Sequence, residues 1–256
     1  MASPITELTG PVKALFTDLD GTLTTSRRVE LDTFVALGKL AKAGVPVIIV
    51  TGRPAGWVHA IMSLTAAEAA IAENGGVIFT RERGCVRRSY AVPEERLKGL
   101  RRQMEAAVRQ IMADIPSARM SVDSAYREVD LAIDWNEDNT LTMNQAQEIV
   151  DRLQGMGFAV SRSSVHINFG PTGFDKLSGC KTLVKELYGD DSLDDYVYVG
   201  DSLNDAEAFA GFKKSVGVAN TEEVWDDLTE KPKFVTEGEE GEGLRQVIEH
   251  LLSLAK

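Results

Sequence analysis

The sequence predicts an α/β fold: a doubly wound parallel sheet with an α+β unit inserted into it. Three observations carry that prediction. Four short apolar runs, one opening the stretch 12–23 and the others at residues 45–50, 69–72 and 196–199, each end in a polar cluster. Apolar residues recur at helical spacing between them. From about residue 83 to residue 166 the pattern changes to helix, strands, helix, strands, which belongs to an α+β unit rather than a βαβ run.

The elements follow in order. The first apolar run leads into Asp18 and Asp20 and then a Gly-Thr turn, so two carboxylates sit where a buried strand stops. Leu31, Phe34, Val35, Leu37, Leu40 and Ala41 have the spacing of a helix, and Gly44 stands where it would end. The strand at 45–50 then delivers Thr51, Gly52 and Arg53, completing a right-handed parallel crossover. A third strand at 69–72 ends in Glu73-Asn74-Gly75-Gly76, a turn of hairpin type. Leu97, Leu100, Met104, Val108 and Ile111 predict a long amphipathic helix, and residues 128–135 alternate as a half-buried strand. A helix at 145–153 and strands at 158–161 and 165–169 complete the insert. These patterns place the core in residues 1–82 and 167–256 and the cap in residues 83–166. A turn-rich stretch at 170–175 then delivers Lys176 to a helix at 177–188. The strand at 196–199 ends in Gly200-Asp201-Ser202-Leu203-Asn204-Asp205, and strands at 215–218 and 234–236 with a helix at 244–254 finish the sheet.

At 256 residues the chain suffices for one large core or a core with a smaller second domain. Its 28 basic and 39 acidic residues, a net charge of −11, oppose nucleic acid and anionic membrane as partners. Cys85 and Cys180 lack metal-ligand spacing, and the N-terminus lacks the charged-then-apolar form of a signal peptide, so a reduced, cytoplasmic location is expected. The longest apolar run is far short of a membrane span.

Asp18 and Asp20 would share one strand face, and two crowded carboxylates call for a cation between them. That makes them a candidate Mg²⁺ site containing a nucleophile, against the plainer reading of Asp-x-Asp-Gly as a polar turn. Asp201 can complete a set of hard oxygen ligands. Thr51 and Gly52 offer a hydroxyl and an unobstructed N–H to a phosphate oxygen, although a Thr here could simply cap the next helix. Lys176 could neutralise the phosphate or stand exposed.

Together these clusters resemble the motifs of the haloacid dehalogenase-like hydrolase superfamily. Asp18-Leu-Asp20-Gly-Thr-Leu matches the first motif, Thr51-Gly-Arg53 the second, Lys176 the third, and Gly200-Asp201-Ser-Leu-Asn204-Asp205 the fourth. The insert's position and the Glu73-Asn74-Gly75-Gly76 stretch look like the Cof-type subfamily with a type IIB cap. One departure stands out: Cof-type members often carry Lys-Gly-x-Ala-Leu at the third motif, whereas Lys176 is followed by Leu-Ser-Gly-Cys-Lys181, so Lys181 competes for the role.

The resemblance implies a Rossmann-like core and an Mg²⁺-dependent phosphomonoesterase acting through an aspartyl-phosphate, with Asp18 as nucleophile and Asp20 as acid and base. It implies Mg²⁺ held by Asp18, Asp20 (through its backbone carbonyl) and Asp201, with Asp205 orienting Mg²⁺ waters or Lys176. Thr51, Gly52, Arg53, Lys176 and Asn204 would contact phosphate. The expected substrate is a small phosphorylated metabolite, a sugar or polyol phosphate, and the expected state a monomer or small homo-oligomer. A phosphomutase would share the chemistry, and a receiver-like phospho-accepting switch is the non-enzyme alternative. Arg119, Asp123, Arg127, Arg162 and His166 in the cap could touch a leaving group, but surface positions are expected for them.

Overall fold

Four- and five-residue strands of Val, Ile, Ala and Tyr can be buried on both faces only if helices cover both sides of the sheet. The computed structural model, which describes residues 2–163 and 165–254, has that arrangement. In chain order the first part of the core holds β1 (Ser3–Pro4), β2 (Ala14–Thr17), α1 (Leu31–Lys42), β3 (Val47–Val50), α2 (Ala55–Leu64), β4 (Ala69–Ala72), β5 (Val77–Glu82) and β6 (Cys85–Tyr90). The insert holds α3 (Glu94–Asp114), β7 (Arg119–Met120), β8 (Leu131–Asp134), α4 (Met143–Gly155), β9 (Ala159–Arg162) and β10 (His166–Gly170). The core then resumes with α5 (Lys176–Tyr188), β11 (Tyr196–Gly200), α6 (Ala206–Gly211), β12 (Lys214–Gly217), β13 (Phe234–Val235) and α7 (Glu240–Leu254).

The core sheet has nine strands in the order β1-β13-β12-β11-β2-β3-β4-β5-β6, and the cap sheet four in the order β7-β8-β10-β9. From β1 to β4 the pairing is parallel; β5 and β6 are antiparallel additions. Side chains alternate across the sheet. Leu15, Val47, Ile49, Val197 and Val199 pack on the side covered by Leu37 and Leu40 of α1, Val58 and Met62 of α2, and Leu244, Val247 and Ile248 of α7. Phe16, Ile48, Val50, Tyr196 and Tyr198 face Leu183 and Val184 of α5 and Phe209 of α6. Met104, Val108 and Ile111 of α3 join Ile149 and Leu153 of α4 on Leu131, Ile133 and Ile167, making a separate core for the cap.

Sheet membership moves both expected boundaries. Residues 85–90, placed with the cap on sequence, pair with β5 in the core sheet, and residues 167–170, placed with the core, pair with β8 and β9 in the cap sheet. The crossings therefore lie near residues 91–93 and 171–175. The half-buried strand expected at 128–135 narrows to β8, because residues 122–126 form a 3-10 turn and residues 128–130 are held instead by a core side chain, Glu73. Helix α7 begins four residues before the expected Leu244, with Glu240 and Glu242 in a first turn whose positive dipole end favours acids.

Candidate active site

β2, β3 and β11 are adjacent and parallel, so the polar residues that follow each of them meet at one edge of the sheet. Asp18 leaves β2 with its N–H donating to the Val199 carbonyl of β11 at 2.8 Å, which seats the first motif against the fourth. Asp18, Asp201 and Asp205 are buried, each offering an oxygen within 4.8 Å of the others. The Asp201 carboxylate approaches so closely that a Cβ at Gly21 would lie 2.5 Å from its Oδ2, and Gly21 also has a φ of +75°, so a glycine is needed there on both counts.

Lys176 opens α5 behind the capping box of Asp175 and Ser178. Its Nζ donates to Asp18 Oδ1 at 2.9 Å and Asp205 Oδ1 at 2.6 Å, with the side chain 1% exposed. Lys181, one turn on, is exposed, so the geometry brings Lys176 to the site and leaves Lys181 outside it. Asp205 is occupied by protein donors: the Tyr198 hydroxyl at 2.5 Å on Oδ1, and the N–H groups of Asp201 and Ser202, both at 3.0 Å, on Oδ2. It fixes the lysine and the 201–202 backbone together.

Three buried carboxylates share one lysine, a net deficit of positive charge. Burial, with Asp205 and Asp20 adding to it against Lys176, pushes Asp18 up to about 7. Burial and the charges of Asp18 and Asp205 push Asp201 well above the usual carboxylate range. Burial works against the Lys176 charge, but Asp18 and Asp205 outweigh it and raise its pKa. The buried oxygens of Asp18 and Asp201 are of the hard, anionic type that fits a divalent cation.

The second motif departs from expectation. Thr51 Oγ1 accepts from Arg53 N–H at 3.0 Å, so its own hydroxyl hydrogen is available to an acceptor. Helix α2 starts only after Pro54, and Thr51 does not cap it. Arg53, expected on phosphate, is committed to carboxylates: its Nε and Nη2 donate to Asp20 at 2.7 and 3.0 Å, and its Nη1 and Nη2 to Glu137 of the cap at 3.1 and 2.7 Å. Its guanidinium also lies 4.8 Å from the Trp57 ring centroid. The Asp20 side chain is accordingly drawn away from the acidic group, which among the described residues comprises Asp18, Asp201 and Asp205. Asn204 reaches across to Asn74 Oδ1 at 3.3 Å and lines the same small cavity as Asp18.

The cap brings groups that sequence reasoning placed on the surface. Arg119 is exposed and Arg162 half-buried, but Asp123, Arg127 and His166 are buried. Arg127 pairs with Asp123 at 3.1 Å and Asp130 at 2.8 Å, and donates to the Gly52 carbonyl at 3.0 Å, where Asn168 also donates at 3.1 Å. Two cap side chains thus grip the loop that carries Thr51. His166 Nε2 lies 2.8 Å from Glu137 and 3.1 Å from Ser121 Oγ. Glu137 and Asn168 went unnoticed in the sequence because neither sits in a recognisable spacing. Glu73 was legible only as part of a turn. It is fully buried, and its carboxylate accepts four backbone N–H groups, from Ala55, Glu128, Val129 and Asp130, at 2.6–2.9 Å. Under the closed cap, Asp18, Asp20, Thr51, Gly52, Arg53, His166 and Asn168 enclose about 10 Å³, roughly the room of one water.

An acidic cluster bridged by a lysine at the C-terminal edge of a doubly wound sheet, under an inserted α+β cap, defines a class of capped α/β phosphatases. The chain matches the haloacid dehalogenase-like hydrolase family over residues 15–113 and 125–248. It is 33% identical over 251 residues to a phosphoglycolate phosphatase of Methanococcoides burtonii, covering 94% of this chain and 97% of the relative. Similar relatives are the phosphoglycolate phosphatase 1 of Saccharolobus solfataricus, 29% identical with 94% and 96% covered, and a phosphoglycolate phosphatase of Methanosarcina mazei, 30% identical with 94% and 97% covered. In fold it is similar to a solved protein of Thermoplasma acidophilum, with a TM-score of 0.76, 20% identity, and 95% and 99% coverage. A haloalkanoate-superfamily phosphatase of Bacteroides thetaiotaomicron superposes with a TM-score of 0.62 at 22% identity, covering 95% and 98%. The chain belongs to the haloacid dehalogenase-like hydrolases, and it is a phosphatase. Among the described residues no helix is long and apolar enough to cross a membrane.

Proposed function

We propose that the chain hydrolyses a small phosphomonoester with the help of Mg²⁺, and that 2-phosphoglycolate, the substrate in its relatives' names, is its substrate. The observation that carries this reading is Lys176 held between Asp18 and Asp205, with Asp201 within reach of the same point. Asp18 and Asp201 would hold the ion, which when bound supplies the positive charge that lets a carboxylate approach a phosphate dianion. Asp205 serves by fixing Lys176 and the amides of Asp201 and Ser202 rather than as a free ligand.

Asp18 forms the new O–P bond as the ester P–O bond breaks, and Asp20 gives its proton to the departing alkoxide oxygen. Water then attacks phosphorus, Asp20 takes its proton, and the bond to Asp18 breaks, returning the carboxylate and releasing phosphate. Lys176, the Thr51 hydroxyl and the Gly52 N–H hold the equatorial oxygens, where charge resides in a loose transition state. Asn204 borders the same space.

The 2-phosphoglycolate reading is supported by the relatives' names, since the space beside Asp18 under the shut cap holds about one water and admits no ester until the cap opens. A second reading, a sugar or polyol phosphate, is favoured by an adjoining cavity of about 330 Å³ lined by Lys176, Asn204, Asp130, Asn168 and Arg162. Phosphate release from 2-phosphoglycolate, glycerol phosphate and a hexose phosphate separates them. Turnover of 2-phosphoglycolate at least tenfold more efficient than of the others, abolished by EDTA and restored by Mg²⁺, is expected. A preference for the hexose phosphate would replace the first reading with the second, and full activity in EDTA would remove the metal. Hexose phosphate that is isomerised only with a bisphosphate activator, without phosphate release, would indicate a mutase.

A further inference from the structure

The cap places an anion beside the residue that must protonate the leaving group. Glu137 is held by three donors from two domains: Arg53 Nη1 at 3.1 Å and Nη2 at 2.7 Å from the core, and His166 Nε2 at 2.8 Å from the cap. Arg53 and His166 are almost completely buried, 3% and 2% exposed, whereas the Glu137 side chain is 13% exposed. These three donors converge as they would on a carboxylate, two from a planar guanidinium and one from an imidazole.

The seat lies next to the reacting atoms. Arg53 binds Asp20 and Glu137 simultaneously, so a carboxylate in the Glu137 position is one guanidinium away from the group that protonates the ester oxygen. Such a carboxylate can be joined to the ester oxygen by only a short chain, as in a 2-hydroxycarboxylate.

Charge argues for exchange rather than addition. Asp20, Asp123 and Glu137 all lie within 3.5 Å of the single Arg53. The His166 hydrogen bond and Arg53, against burial, hold Glu137 well below the usual carboxylate range. A further carboxylate beside Glu137 would meet like-charge repulsion in a largely buried site, where water screens it poorly. The Glu137 side chain can leave without unfolding its loop. Asp134 accepts the N–H groups of Glu137, Asp138 and Asn139 at 2.8, 2.9 and 3.1 Å, and Arg27 holds the carbonyls of Asn136 and Glu137. Its neighbour Asn136 lines a cavity of about 610 Å³, which gives the departing side chain room.

We infer that Arg53 and His166 form the seat for a carboxylate on the leaving group, and that Glu137 is a built-in competitor that fills this seat until the substrate displaces it. This rests on the small-phosphomonoester reading and narrows it to esters of short hydroxycarboxylates.

The test compares 2-phosphoglycolate with 2-hydroxyethyl phosphate, which keeps the skeleton and lacks the carboxylate. In Glu137→Gln, which keeps the side chain's shape, the kcat/KM ratio of the first substrate to the second should rise about tenfold through KM. Glycolate as a competitive inhibitor should tighten by a similar factor. In His166→Gln the ratio should fall. An unchanged ratio in Glu137→Gln, or a loss confined to hydroxylated esters, would overturn the inference while leaving the phosphatase reading intact. Wild-type enzyme that ignores both esters but hydrolyses a hexose phosphate would overturn the substrate reading and this inference with it. Glu137→Ala repeats the comparison if the glutamine amide itself binds Arg53.

Discussion

At Lys176 Nζ two carboxylates, Asp18 at 2.9 Å and Asp205 at 2.6 Å, compete for one buried cation, and Asp18 keeps a second oxygen for phosphorus. If Asp18 is the nucleophile, Asp18→Asn should lower kcat by at least about 10³-fold, since an amide oxygen is a poor nucleophile and the covalent route is lost. Thermal denaturation should show the variant folded and no less stable without metal, because it removes one of three crowded anions. Phosphate release within tenfold of wild type would show that another group attacks. Which residues were legible follows from how far their partners lie along the chain. Asp18, Asp20, Thr51, Asp201 and Lys176 could be read because each follows a strand or opens a helix, and fold topology alone brings such positions together. The commitment of Arg53 could not, since its partner Glu137 lies 84 residues away on a loop with no periodicity to mark it. Buried Asp123, Arg127 and His166 looked like surface residues for the same reason: charged side chains default to solvent unless paired, and pairing across domains leaves no local signature.

At the scale of elements, the turn after β4 does more than reverse the chain. Glu73 and Asn74 both have a φ of +52°, a conformation that costs a non-glycine residue about 1–3 kcal/mol, and Gly75 follows at +104°. The strain is held by the Glu73 carboxylate, which receives the N–H of Ala55 from α2 and those of Glu128, Val129 and Asp130 from the cap. A Cβ on Gly75 would come within 2.2 Å of the Asp175 carbonyl, so the same turn abuts the second crossing into the core. The sequence marked this stretch as a turn because Asn-Gly-Gly is a turn composition; that Glu73 is the joint between core and cap needed the partners' positions. Glu73→Gln should therefore be costly: an NH₂ in place of one oxygen faces two N–H groups that lose their acceptor. About 3 kcal/mol of stability should go, at 1.5–3 kcal/mol for each hydrogen bond to a charged group with partial recovery, readable by urea denaturation. A change below about 0.5 kcal/mol would mean the joint is held elsewhere.

For the whole molecule, the cap is shut on the core through Arg127 and Asn168 on the Gly52 carbonyl, Glu137 on Arg53, and Arg27 on the loop at Asn136, so a phosphate can enter only when these contacts open. The presence of an inserted cap was legible from the change of pattern after residue 82, but its edges were not: the β5–β6 hairpin has strand character whichever sheet it joins, and only pairing decides. The acidic centre makes global stability depend on pH and metal together. Asp18 rises from its ordinary value to about 7 in the metal-free fold, with Asp201 displaced the same way. Between about pH 4 and pH 7 the folded chain therefore binds more protons than the unfolded one, and this contribution to stability fades as pH climbs through 7. The lowered carboxyls of Glu137 and Asp123 act oppositely, but their contribution is complete above the ordinary carboxylate range and is flat across neutral pH. Mg²⁺ needs the deprotonated carboxylates, so its affinity should climb over the interval in which the metal-free fold weakens. Thermal denaturation at pH 5 and pH 8, each with EDTA or with excess Mg²⁺, separates the two effects: the midpoint in EDTA should be lower at pH 8, and the increase caused by Mg²⁺ should be larger there. An equal increase at both pH values would mean that the ion does not compete with protons for Asp18 and Asp201, and that these two carboxylates are not its site.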